Sequence, residues 1–182
     1  PYTTLFRSAT EAGRLQGQGL VEDLKGVTKP NVAILDGAPT DSFALDLTKG
    51  YLEVLDPLFN DGSFVKVDQQ AVKDWDGATA LTIFEQMLIA SNNKIDGAIA
   101  ANDTLANAVI SALKSKQLPM IPVSGLDGEI KALQHILAGE QTFTVYFSYG
   151  TQASLAADLA VKLLRGEDPA ITSTSDNEGR AV

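Results

Sequence analysis

Cysteine is absent from this chain of 182 residues, and histidine occurs only once. Without cysteine the chain has no disulfide framework, no thiolate metal site and no cysteine nucleophile. The one histidine, His135, leaves no histidine pair for a metal ion and no obvious Ser-His dyad. Its place between Leu133 and Ile136 indicates an ordinary, partly exposed helix residue. We therefore expect no metal, no other cofactor and no enzymatic activity.

Clusters of basic residues are also missing, since 14 lysines and arginines are scattered among 23 acidic residues and the formal net charge is −9. Nucleic acids and anionic membranes are bound through clustered Lys and Arg, so we expect neither as a partner. No apolar run approaches the roughly 20 residues that cross a bilayer, so no direct membrane insertion is expected. The usual phosphate-binding glycine motifs of nucleotide sites are absent as well.

The first eight residues, PYTTLFRS, show no pattern that connects them to the rest of the chain. They look like the translation of a sequencing adapter, and we leave residues 1–8 out of the fold prediction. On this interpretation the natural protein extends further toward its N-terminus, and any export signal lies in the part that is missing.

What the chain does have is a regular alternation of short apolar runs and amphipathic helical patterns. Helices are predicted at 10–26, 42–58, 77–92, 103–116, 129–137 and 151–164. Strands are predicted at 31–35, 64–67, 95–101, 120–125 and 142–146. Five strands alternating with helices through short connections predict an α/β fold with a doubly wound parallel sheet.

Polar or aromatic side chains follow four of the predicted strands. They are Asp41, Trp75, Asn102 with Asp103, and Asp127. The carboxyl ends of parallel strands open into one crevice, so these side chains are expected to converge on one ligand.

Four of these residues also have a purely structural interpretation, which does not account for Asn102. Asp41, Asp103 and Asp127 each precede a helix and are placed to cap it, and Trp75 could cover the neighbouring helix. As ligands, an amide offers donors and an acceptor, a carboxylate accepts bonds from adjacent hydroxyls, and an indole forms a platform for a sugar ring. Together they suit a carbohydrate better than a nucleotide, metal or lipid.

Five segments of the chain resemble, in order and spacing, the periplasmic sugar-binding proteins of ABC transporters, and most closely their D-xylose-binding branch. The segments are LQGQGLVEDL, LDGAPTD, SNNKIDGAIAANDTLANAVISAL, VSGLDGEIKALQHILAGEQTFTVY and VKLLRGEDP. The likeness runs from about residue 9 to residue 169. A single one of these motifs would mean little, but their combination is specific.

This resemblance implies a type I periplasmic binding protein, in which two α/β lobes close on one sugar. Residues 9–147 would be the C-terminal lobe, 148–166 a helix that packs on an absent N-terminal lobe, and 167–182 a truncated tail. The helix would then expose an apolar face. The implied function is monomeric capture of a monosaccharide, in the periplasm or anchored outside the membrane, for delivery to an ABC permease.

The resemblance also implies roles for the candidate residues. Asn102 and Asp127 match sugar-hydroxyl ligands, Trp75 matches a ring-stacking residue, and Asp41 lies in a loop that reaches the sugar. Two positions depart from the pattern: residues 41–44 read DSFA where xylose binders usually read DNNA, and Phe147 replaces a lysine. The identity of the sugar is therefore left open.

Two other functions remain open at this stage. A LacI-type transcription regulator has a sugar-sensing effector domain of the same fold, and it would carry a helix-turn-helix upstream. A sugar- or nucleotide-modifying enzyme is the weaker alternative, and turnover of a sugar would reveal it.

Overall fold

The computed structural model describes residues 8–146 and 149–168. Most of the proposed adapter segment, Phe147 and residues 169–182 of the proposed tail lie outside the described residues. The chain divides into two compact units, of which the larger is Ala9–Tyr146. The helices are α1 (Ala9–Asp23), α2 (Ser42–Asn60), α3 (Gly77–Ala90), α4 (Asp103–Ser115), α5 (Ile130–Leu137) and α6 (Tyr149–Leu164). The strands are β1 (Asn31–Asp36), β2 (Val65–Ala71) and β3 (Gly97–Ala100).

The three strands form a parallel sheet in the order β2-β1-β3. Two single parallel bridges continue it, one from Ala98 to Val123 and one from Leu126 to Val145. The predicted parallel α/β class is therefore confirmed.

The prediction of strands at 120–125 and 142–146 is wrong. Each of these segments contributes only isolated bridge residues to the sheet. Pro122 has no N–H to donate to a ladder. The hydroxyl of Thr142 accepts from Val123 N and donates to Val123 O, both at 3.0 Å, so a side chain makes bonds that a neighbouring backbone would otherwise make.

The second strand is longer than the predicted 64–67, because β2 continues through polar residues to Ala71. An edge strand pairs on one side only and needs no apolar run to form. Trp75 lies in a one-turn 3₁₀ helix, Lys73–Trp75, where a polar loop was predicted.

The core lies around β1 and β3, because both strands are apolar on both faces. Residues 32–35 of β1 are fully buried, and so are residues 98–100 of β3. On one side α1 packs against α2 and β3, and on the other α3 packs against α4 and β1. This burial on both faces holds the strand ends, and hence the loops that follow them, in fixed positions.

Two glycines allow α1 and α2 to cross with their backbones in contact. A methyl group at Gly13 would lie 2.0 Å from the carbonyl oxygen of Leu47. One at Gly50 would lie 2.0 Å from the carbonyl oxygen of Thr10. Only a residue without a side chain fits at either position, so the helix pair depends on both glycines.

Helix α6 belongs to the second unit and carries apolar side chains that are exposed, among them Val161, Leu163 and Leu164. Across the described ranges, none of the helices combines the length and apolar character needed to span a membrane.

A half-buried carboxylate, Asp36, ends β1 and faces α2. It accepts hydrogen bonds from the hydroxyls of Tyr51 and Thr48 and from the Gln69 amide. Burial raises the pKa of the Asp36 carboxyl, and these donors offset part of that rise. Burial and the Asp36 charge also hold the pKa of Tyr51 well above its usual range.

We expect the free energy of unfolding of Asp36→Asn, relative to that of the unchanged chain, to increase as pH rises above about 4. A raised native pKa means that the folded chain binds more protons than the unfolded chain above pH 3.8, so this carboxyl loses stabilising effect as pH rises. The measurement is the free energy of unfolding in urea at several pH values. Asp76→Asn is the control of opposite sign, because bonds from Thr79 lower the pKa of Asp76. A pH-independent difference for Asp36→Asn would contradict the interpretation.

Candidate functional site

The carboxyl edge of the sheet brings five loop segments side by side. A backbone hydrogen bond joins each segment to its neighbour. The four hydrogen bonds, each 3.0 Å long, are Val72 N–H to Asp36 O, Ala101 N–H to Leu35 O, Asp103 N–H to Leu126 O, and Asp127 N–H to Val145 O. All four predicted site residues therefore lie along one edge of the unit.

Trp75 and Asp41 are in direct contact at this edge. The indole Nε1–H donates to Asp41 Oδ2 at 3.1 Å, while Asp41 Oδ1 accepts from Phe43 N at 2.9 Å and caps α2. The predicted cap is confirmed. The ring lies against Gly37, where a methyl group would come within 2.2 Å of the indole Cη2. The absence of a side chain at Gly37 thus makes room for the indole just past β1.

The backbone that presents the indole is strained. Asp74 and Trp75 have φ angles of 55° and 56°, in the left-handed region that residues with side chains seldom adopt. Such strain costs on the order of 1–3 kcal/mol per residue and is concentrated at ligand-binding and active sites. The strained turn places the Trp75 ring in a half-buried position over Gly37.

Asn102, and not Asp103, caps α4. The Asn102 Oδ1 atom accepts from Leu105 N at 3.0 Å, and Asn102 is the N-cap residue. The prediction that Asp103 caps this helix is therefore wrong. Because Oδ1 is used in the cap, the Nδ2 donors are what Asn102 can offer to a ligand; among the described residues Nδ2 has no hydrogen-bond partner.

The Asp103 side chain turns inward and is only 2% exposed. Its Oδ2 accepts from Glu129 N at 2.8 Å and from the Thr144 hydroxyl at 3.1 Å, and its Oδ1 accepts from Gln141 Nε2 at 3.2 Å. Gly125 lies directly against this carboxylate. Asp103 thus connects the start of α4 to two other segments of the edge.

Asp127 stands in the tight turn that precedes α5. Its φ of 107°, followed by 73° at Gly128, places two successive residues in the left-handed half of conformational space. Glu129 is the N-cap residue of α5 and makes no side-chain cap bond. Tyr146, which is 69% exposed, packs its ring on Gly128 beside this turn.

Sequence reasoning missed three residues at this edge: Gly37, Asp103 in its inward role, and Tyr146. The aromatic residue that ends the segment TFTVY was a usable signal for Tyr146. Nothing in the sequence distinguishes Asp103 from a helix cap, or relates Gly37 to Trp75 across 38 positions.

The histidine of the chain has structural partners on both ring nitrogens. His135 contacts Glu140 Oε2 through Nδ1 at 2.6 Å and Asn107 Oδ1 through Nε2 at 3.1 Å, so it joins α5 to α4. Bonds from Lys114 and His135 lower the pKa of Glu140. No group of three metal-binding side chains occurs in the part of the chain that the structure describes.

The family profile for the periplasmic binding protein domain matches residues 8–168. The D-xylose-binding periplasmic protein of Escherichia coli is 36% identical over 168 residues, which are 92% of this chain and 50% of that protein. The chain belongs to the periplasmic binding protein family. Its fold is the type I fold of that family, as the resemblance implied. Two of its relatives are named as D-xylose-binding periplasmic proteins, and a structural neighbour is an ABC transporter periplasmic solute-binding protein.

Solved structures of the family agree. A carbohydrate transporter solute-binding protein from Chloroflexus aurantiacus, in complex with D-glucose, aligns with a TM-score of 0.85 at 27% identity over 98% of this chain and 60% of that one. A periplasmic solute-binding protein from Actinobacillus succinogenes with bound D-allose aligns with a TM-score of 0.78 at 27% identity, over 88% and 55%.

The chain spans about half the length of the curated relatives it matches. These relatives and structures are solute-binding proteins and not enzymes. The enzymatic alternative therefore finds no support among them.

Proposed function

We propose that this chain is the C-terminal lobe of the substrate-binding component of an ABC sugar importer, and that it binds a xylose-like aldose at its carboxyl edge. Trp75, Asn102 and Asp127 would contact the sugar directly, and Asp41 would support them. The observation that carries the proposal is the indole of Trp75, held over Gly37 by a hydrogen bond to Asp41, on the edge that also bears Asn102 and Asp127.

The indole supports binding of a sugar ring because its flat apolar face matches the C–H face of a pyranose. Its N–H group is already used by Asp41 Oδ2. The ring therefore contributes apolar contact area in a fixed orientation and loses little conformational freedom on binding. A ligand needs a flat apolar face to exploit it, and an aldopyranose has one.

The polar groups complement that platform. Asn102 has Nδ2 donors beyond its cap, and a carboxylate at Asp127 accepts hydrogen bonds from two adjacent hydroxyls. Hydrogen bonds to a charged group contribute about 1.5–3 kcal/mol each. Asp41 retains further lone pairs after bonding to Phe43 and Trp75, so it can also accept from a hydroxyl at the edge.

Charge favours a neutral ligand over an anionic one. The edge segments 37–41, 72–76, 101–103 and 126–129 carry six carboxylates and one cation, Lys73. Bonds from Thr79 lower the pKa of Asp76, so that carboxyl is ionised at neutral pH. A sugar phosphate would meet like charge here, whereas an uncharged sugar would not.

The relatives and neighbours support an aldose as the ligand. Two of them are named as D-xylose-binding, and solved structures hold D-glucose and D-allose. The sequence DSFA at 41–44 differs from the usual xylose-site pattern, and the Phe43 side chain cannot replace an amide as a donor. We therefore propose an aldose of the xylose type, with the preferred member to be measured.

Transport requires a second lobe that closes over the sugar and presents it to a permease. We propose that this chain pairs with such a lobe outside the cytoplasmic membrane and acts as a monomer. The sensor domain of a LacI-type regulator is the alternative. The reading frame upstream decides between them, because a regulator carries a helix-turn-helix and a transport protein carries an export signal.

The test is calorimetric titration of the full-length protein from the parent reading frame with D-xylose, D-glucose and D-allose. We expect micromolar or tighter binding of at least one of them, about −8 kcal/mol or better. D-Glucose 6-phosphate is the matched control and should not bind, because the acidic edge repels it. If none of these three aldoses binds, the proposal is wrong.

A further inference from the structure

The turn that carries Asp127 is held from three sides by one buried residue. Asp103 donates its N–H to Leu126 O at 3.0 Å, just before Asp127. Its Oδ2 accepts from Glu129 N at 2.8 Å, just after the turn. The same Oδ2 accepts from the Thr144 hydroxyl, and that hydroxyl oxygen accepts from Gly128 N at 3.3 Å.

This arrangement matters because the turn is strained where Asp127 stands. A φ of 107° at a residue with a side chain persists only where the surroundings enforce it. The bonds to Leu126 O and Glu129 N, with the relay through Thr144, fix the peptide groups on both sides of Asp127. Without them the turn could relax and carry the Asp127 carboxylate away from its place.

Asp103 also follows Asn102 directly, so one residue sets the relation between two proposed sugar ligands. The Asp103 carboxylate is 2% exposed and is occupied by Glu129, Thr144 and Gln141. It is therefore not itself available to a sugar at the edge. Its two oxygens, each with two lone pairs, accept from all three of these donors.

We propose that Asp103 is a positioning residue, which fixes Asp127 relative to Asn102 and thereby sets the affinity of the sugar site without touching the sugar. The inference rests on the proposed function. From its position in the sequence, Asp103 was expected to cap α4. The proposed role is a different one.

The test begins with Asp103→Asn in the full-length protein. An amide keeps only one acceptor oxygen, so its nitrogen faces either Glu129 N–H or Gln141 Nε2, and one of the bonds that hold the turn becomes a donor–donor contact. We expect the sugar affinity to fall about 10- to 100-fold, measured by calorimetry well below the melting temperature. Asp96→Asn is the matched control. Asp96 is a half-buried carboxylate that likewise accepts from a backbone N–H, that of Asn31 at 2.8 Å, but it lies at the amino end of β3.

A double-mutant cycle separates positioning from general destabilisation. Asp127→Asn keeps one acceptor oxygen, so we expect this variant to retain a weak, measurable affinity, unlike Asp127→Ala. If Asp103 acts through Asp127, Asp103→Asn should weaken binding by less than about threefold in a protein that already carries Asp127→Asn. Full additivity of the two changes, or an affinity for Asp103→Asn equal to that of Asp96→Asn, would overturn the proposal. Failure of the unchanged protein to bind any aldose would instead remove the proposed function together with this inference.

A second variant covers the case in which Asp103→Asn does not fold. Thr144→Val is nearly isosteric and removes only the hydroxyl that links Gly128 N–H to Asp103. We expect a loss of affinity of about three- to tenfold with the same dependence on Asp127. An unchanged affinity in this folded variant would also count against the positioning role.

Discussion

Replacing Asp127 by alanine should abolish detectable sugar binding in the full-length protein. A carboxylate that accepts two hydroxyl hydrogen bonds contributes about 3–6 kcal/mol in total, equivalent to roughly 10²- to 10⁴-fold in affinity. The measurement is calorimetric titration with whichever aldose the unchanged protein binds most tightly. Such a loss is the largest single effect that we expect on binding.

The backbone at Asp127 requires a careful choice of variants. Because φ is 107°, alanine strains the turn as well as removing the carboxylate. Asp127→Gly removes the same group and relieves that strain, so both variants should lose binding if the carboxylate itself is the ligand. Asp61→Ala, at an exposed residue after α2, is the control and should bind as the unchanged protein does. Retained binding in Asp127→Gly would exclude Asp127 as a sugar ligand.

Gly50→Ala should produce a large loss of stability. The added methyl group would lie 2.0 Å from the carbonyl oxygen of Thr10 and 2.8 Å from Arg14 N, both of them backbone atoms of α1. Neither can move aside without shifting the helix. We expect the free energy of unfolding to fall by about 2–3 kcal/mol, from the usual cost of overpacking. Urea unfolding of the 182-residue chain, followed by circular dichroism, measures it.

Gly150→Ala is the matched control for this effect. Gly150 also lies in a helix, α6, but a methyl group there meets no atom within 4 Å. Its substitution should change stability between zero and a gain of about 1 kcal/mol, because alanine favours helix more than glycine does. If Gly50→Ala behaved like Gly150→Ala, the close contact between α1 and α2 would not exist in solution.

The fold class could be predicted because it depends on local patterns. Residues 31–35 and 95–101 read as apolar on both faces, and the helical patterns between them leave room only for parallel connections. The weak outer positions of the sheet could not be read in this way. The apolar residues near Val123 and Val145 resemble strands, but Pro122 and the Thr142 side chain limit their pairing to single bridges.

The candidate site was predicted in position but not in detail. Asp41, Trp75, Asn102 and Asp127 were expected at one edge because each follows a strand, and the structure places them there. The exchange of roles between Asn102 and Asp103 was not predictable. Either residue can cap a helix, and the choice depends on which side chain meets the donors of Glu129, Gln141 and Thr144.

By itself the sequence determined the alternation of strands and helices, the parallel arrangement and the edge on which polar side chains collect, since these follow from periodicity along the chain. Only the tertiary structure decided which of those side chains faces outward and which one holds the turn of Asp127 in place. That decision depends on contacts between residues far apart in sequence, such as Gly37 with Trp75 and Asp103 with Thr144. No local pattern encodes such contacts, because they form only when the core brings the strand ends together.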